Sequence, residues 1–169
     1  MKKSFLTLLL LAVITPAFLL SFKKAPARAN FSAEWTLNEG KSELGDFGGR
    51  FAPRKIKVEQ KEDIISIAKT APSFDGGEAT TTENITFDGK QAESTVFGTS
   101  KKKTSIKWAD DGQSFVMTYT ILFDFDGNST EIKGTETWTM AADGKSFTSV
   151  TSSSSPQGEF TMKGLYEKK

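Results

Sequence analysis

The sequence predicts an all-β protein, a single antiparallel up-and-down barrel of about eight to ten strands. Three observations carry that expectation. From residue 31 onward the chain is a succession of short apolar/polar alternations, the period of a strand with one buried face. Asp-Gly punctuates them at 75–76, 88–89, 111–112, 126–127 and 143–144, and this pair tolerates the positive φ that tight hairpin turns demand. Beyond the first 29 residues no stretch has helical periodicity.

Taken in order, Lys2 and Lys3 precede the apolar run Phe5 to Phe22, and "KKAPARA" then ends in the small-x-small pattern Ala27-Arg28-Ala29. That combination predicts a signal peptide over 1–29, cleavage after Ala29, and export to the periplasm or beyond. The apolar run is nearly long enough to span a bilayer, and Lys23 and Lys24 behind it favour retention. An uncleaved anchor is therefore the alternative, and the one expected route to a membrane. Residues 30–169 form the expected domain.

Within it, strands are expected near 33–38, 55–60, 63–69, 80–87, 92–97, 102–109, 113–123, 129–140, 145–151 and 157–167. The glycine-rich stretch 39–53 and "APSFDGGEA" at 71–79 read as the two long connections, with room for a short helical turn inside 39–47. "TSSSS" at 151–155 reads as a turn between the last two strands, and "KKK" at 101–103 as the solvated end of a strand. Ten hairpin-linked strands in a flat sheet leave two edges and one apolar face unburied. Closure removes all three exposures, whereas a two-sheet sandwich is the rival that buries the face alone.

Composition narrows the function. The chain has no cysteine and no histidine, so disulfides, a lipid-modified cysteine, histidine-based zinc sites and Ser-His-Asp or Cys-His nucleophiles are excluded. The 22 basic residues less the five in 1–29 leave 17 against 21 acidic, a net charge of −4. Such a surface opposes a phosphate backbone, and no nucleic-acid partner is expected. "DFDGNSTE" at 124–131 lacks the spacing of a calcium loop and reads as a hairpin turn. No metal or cofactor is expected.

Alternation assigns the inner face. Phe115, Met117, Tyr119, Ile121 and Phe123 share one side of the longest strand, and Ile132, Gly134, Glu136, Trp138 and Met140 share one side of the next. Phe160, Met162, Gly164 and Tyr166 join from the last strand, Ile106 and Trp108 from the sixth, and Ile85 and Phe87 from the fourth. The inner face is thus aromatic and methionine-rich, with Glu136 as its one charged member. An inward carboxylate costs several kcal/mol if dry and unpaired, so Glu136 must meet a lysine, hydroxyls, water or the polar end of a ligand.

"AEWTLN" and the residues behind it resemble the start of small secreted bacterial lipocalin-like proteins, which open on Trp-x-Leu-Asn…Lys-Ser, here Trp35, Leu37, Asn38, Lys41 and Ser42. An Ala-Asp-Gly-Lys hairpin at 142–145 and the terminal strand "KGLYEKK" add to the resemblance. It implies a barrel that admits an apolar small molecule at one end, without catalysis, and it gives Trp35 a structural role as the plug of the closed end. The Gly-x-Trp usual in lipocalins reads Ala33-Glu34-Trp35 here, and no inward arginine is evident.

The expectation is therefore an exported, monomeric, non-catalytic barrel that binds a small apolar molecule. Trp108, Phe115, Met117, Tyr119, Phe123 and Trp138 would form its wall with Phe160, Met162 and Tyr166, and Glu136 would be the polar anchor. Phe47 and Phe51 are candidate lid residues, with Phe74 as a competitor. Two other classes stay open: an interaction or inhibitor module with a solid core, and a carboxylate enzyme using Glu136 with Tyr119.

Overall fold

The computed structural model describes residues 26–169 except 74, 126, 127 and 157. Residues 1–25 of the expected signal, and the Asp126-Gly127 turn, lie outside the described residues. The elements are β1 (Ala33–Leu37), α1 (Gly45–Phe51), β2 (Lys55–Gln60), β3 (Ile64–Pro72), β4 (Glu78–Thr86), β5 (Ala92–Val96), β6 (Ser100–Trp108), β7 (Ser114–Phe125), β8 (Asn128–Met140), β9 (Ser146–Ser155) and β10 (Gly158–Lys168). All ten strands belong to one antiparallel sheet in the order β4-β3-β2-β1-β10-β9-β8-β7-β6-β5. β1 pairs with β10 in the register Trp35↔Lys168 and Leu37↔Tyr166, which brings the two ends of the domain side by side. The sheet is a nearly closed up-and-down barrel. Its seam falls between β4 and β5, which follow each other in sequence yet stand at opposite ends of the strand order.

The Asp-Gly pairs work as their chemistry predicts. Gly76, Gly89, Gly112 and Gly144 all have positive φ. Asp75, Asp88, Asp111 and Asp143 each accept a hydrogen bond from the backbone N–H two residues on, at 3.0, 3.1, 2.8 and 2.9 Å. The aspartate thus replaces a partner that the turning backbone loses.

Two local expectations change, and a third, the short helical turn inside 39–47, is met and extended. "TSSSS" is not a turn: Thr151 to Ser155 end β9, laddered to β10 as far as Ser155↔Gly158 and to β8 through Ser154↔Lys133. Small hydroxyl side chains fit both faces of this long hairpin, so the polarity that suggested a turn is compatible with a strand. The second long connection shrinks as well, because Ala71↔Ala79 and Pro72↔Glu78 extend the β3/β4 ladder. Finally, 39–53 holds a 3-10 turn at Glu39–Lys41, capped by the Asn38 side chain, and then the seven-residue α1. Three glycines disguise α1 in the sequence. One of them, Gly48, lies so close to Leu44 and Met162 that a Cβ there would meet Leu44 Cβ at 2.9 Å.

One half of the lumen is solid. Trp35, Phe31, Phe115, Trp138 and Phe147 are essentially inaccessible. Their rings interlock: Trp138 stacks on Phe147 at 4.5 Å, Trp35 meets the edge of Phe147 at 5.0 Å, and Phe31 meets Phe115 at 4.9 Å. Trp35 also donates from Nε1 to the Phe31 carbonyl at 2.9 Å, so its one polar atom is satisfied. Residues just before Phe31 cover this end. Ala29 donates its N–H to the Gly112 carbonyl at 2.7 Å, and the Arg28 guanidinium lies 5.4 Å from the Trp108 ring centre.

Candidate functional site

Hairpin connectivity sends α1, the β5/β6 turn and the C-terminal ends of β7 and β9 to the other end of the barrel. There the lumen opens into a cavity of about 640 Å³, within the size range of small-molecule sites. Its upper wall is apolar, built from Val96, Phe97, Ile121, Phe123, Ile132, Phe160 and Met162. Phe51 from α1 and Phe97 from the β5/β6 turn line the mouth and are 40% and 50% exposed. Phe97 is the one described non-glycine residue with positive φ, at 48°.

The floor is polar. Lys69 from β3, Lys102 from β6, Glu136 from β8, and Ser149 and Thr151 from β9 face the cavity there, with Tyr119 and Tyr166 beside them. Glu136 accepts hydrogen bonds from the Lys69 ammonium, from Trp138 Nε1 at 2.6 Å and from Ser149 Oγ at 3.0 Å. Below the floor, Glu83 on β4 accepts from Lys102 Nζ and from Thr104 Oγ1, both at 2.7 Å. This second pair crosses the seam between β4 and β5, where no ladder exists among the described residues. The ammoniums also lie over ring faces, Lys102 at 4.8 Å from Tyr119 and Lys69 at 5.5 Å from Trp138.

These contacts set the charge states. Burial alone would raise the Glu136 carboxyl, but the charges of Lys69 and Lys102 and the hydrogen bonds from Lys69 and Trp138 outweigh it and hold the pKa at about 2. Burial opposes ionisation of Glu83 too, and Lys102 and Lys69 again win, keeping it below the usual carboxylate range. Burial, joined by the nearby Lys69 charge, pushes Lys102 down, against the pull of Glu83 and Glu136. Burial and then Glu136 push Tyr119 up to about 12, so its phenol stays protonated. Gly134 makes room for that ring, since a Cβ there would meet Tyr119 Cζ at 2.5 Å.

The sequence-predicted residues divide between the two halves. Tyr119, Phe123, Glu136, Phe160, Met162 and Tyr166 line the cavity, and so does Phe51 at its mouth. Trp108, Phe115, Met117 and Trp138 do not line it. They point inward as expected but pack in or against the solid half, where rings from β1 and β9 fill the space a ligand would need. Trp35 is buried in that half, its ring against Phe147. The Phe47 side chain, and Phe74 altogether, lie outside the described residues.

Glu136 is not the only inward charge. Lys69, Glu83 and Lys102 were missed, and "KKK" is not uniformly solvated: Lys101 and Lys103 face out while Lys102 is 8% exposed. The signal was present. Counting by twos from Ile67, Ile85 and Ile106 puts Lys69, Glu83 and Lys102 on the inner face. No family model matches the chain, and no curated protein or solved structure matches it significantly.

Proposed function

We propose that this chain is an exported, monomeric, lipocalin-like barrel that binds or carries a small apolar molecule in its lumen without transforming it. The half-filled lumen carries this reading: a cavity of about 640 Å³ with an apolar upper wall, a mouth rimmed by Phe51 and Phe97, and a polar floor. An interaction module with a solid core has no use for such a space. The charge states favour binding over catalysis. A carboxylate held at about 2 by an ammonium and two further donors is a weak base and carries no proton to give at neutral pH.

The test is titration of the folded protein with an apolar fluorescent probe, followed by displacement with a lipid extract of the host. One probe per chain, displaced by extract, is the expected result; folded protein that binds no probe refutes the reading. Mass spectrometry of material co-purified from the native host would then identify the occupant.

A further inference from the structure

The floor of the cavity and the layer just beneath it together hold both signs of charge in equal number. Lys69 and Lys102 face Glu136 and Glu83, and the four groups lie close enough to influence one another's ionisation. Glu136 accepts from three donors and Glu83 from two. Each ammonium carries three N–H donors, and among the described residues each gives one to a carboxylate. Thr151, directly across the ladder from Glu136, is 7% exposed, lines the cavity, and has no hydrogen-bond partner for its Oγ1 among the described residues.

What the floor offers an occupant is therefore hydrogen-bond donors without net charge. We infer that the ligand is an amphiphile whose inner end is an uncharged hydrogen-bond acceptor, a hydroxyl or carbonyl oxygen, set against Lys69, Lys102 and Thr151. This rests on the carrier reading above and specifies its ligand class.

A carboxylate is the obvious rival, since two lysines are present. It would bring a third anion to a site whose cations are already neutralised, and its attraction to Lys69 would be opposed by Glu136 at the same ammonium. An ion desolvated without a net counter-charge costs far more than a neutral acceptor does. A cationic head fares no better, because it would set a third cation beside Lys69 and Lys102, whose charges already balance Glu136 and Glu83.

The experiment compares dodecanol, 2-dodecanone, dodecanoate, dodecylamine and dodecane as competitors of the fluorescent probe at neutral pH. Dodecanol and dodecanone should bind at least about ten-fold tighter than dodecanoate and dodecylamine, by the usual penalty for an uncompensated buried charge. Glu136→Gln gives the floor a net positive charge and should shift the alcohol-to-carboxylate preference about ten-fold toward dodecanoate. Thr151→Val, which disturbs no charge, should weaken dodecanol several-fold and leave dodecane unchanged; it serves if the Glu136 variant does not fold. Tighter binding of dodecanoate or dodecylamine by the unmodified protein, or equal loss of dodecanol and dodecane in Thr151→Val, overturns the inference while leaving the carrier reading intact. Failure of the probe and all five competitors to bind folded protein overturns both.

Discussion

Replacing Lys69 by methionine keeps most of the side chain's apolar stem and removes only the ammonium. Glu136 then keeps Trp138 and Ser149 as donors but loses its nearest counter-charge in a site where it is 7% exposed. Two routes give the cost. Breaking a buried pair by deleting one partner is worth about 3–5 kcal/mol. Separately, a carboxyl held at about 2 in the fold against 4.5 outside it contributes roughly 3 kcal/mol at neutral pH, the net of burial against Lys69, Lys102 and Trp138 together, with Lys69 first among the three. The sign follows from the depressed value: the contribution is complete above about pH 4.5 and is lost as the pH falls toward 2. Urea denaturation of Lys69→Met and the unmodified protein should therefore differ by about 3 kcal/mol at pH 7, and the gap should narrow steadily below about pH 4.5. A difference under about 1 kcal/mol at pH 7, or one independent of pH, would show that the pair does not organise the floor as described.

Two further substitutions probe the wall and the mouth. Gly134→Ala drives a Cβ into the Tyr119 ring and toward the Ser152 carbonyl, at 2.5 and 2.7 Å; it should cost about 1–3 kcal/mol in a denaturant titration. Phe97→Asn places a residue that tolerates the left-handed region where φ is 48°; stability should hold or rise by up to about 1 kcal/mol, while probe affinity falls several-fold as the rim loses its ring.

The strands were legible because each carries its own evidence. Alternation and Asp-Gly turns are local, and the ten expected strands match the ten observed to within a few residues. The failures lay where local polarity and global pairing disagree. Thr151 to Ser155 resemble a turn in isolation, yet two neighbouring strands claim their backbone. α1 is hidden because its glycines oppose a helix, and its place against β10 is set by packing at Met162. The ionic floor is the instructive case. Strict counting by twos points Lys69, Glu83 and Lys102 inward, but a charge facing a barrel's interior is credible only when its partner is known. Those partners are on strands that do not adjoin: β3 with β8, and β4 with β6. Likewise, nothing in a single strand tells that Trp108, Phe115, Met117 and Trp138 face a lumen already filled by Phe31 and Phe147.

The seam gives the tube an unusual mechanical character. Around the rest of the circumference, girth is fixed by runs of backbone hydrogen bonds that must break together if neighbouring strands part. Between β4 and β5 that constraint is absent among the described residues, and side chains span the gap: Glu83 reaches to Lys102 and Thr104, and the Phe87 ring meets Trp108 at 5.6 Å. Side chains change rotamer far faster than sheets unzip. The barrel is thus a split ring held by a clasp, and the cost of stretching it around a bulkier occupant falls on side-chain contacts, a buried ion pair and a ring pair among them, instead of on a whole ladder.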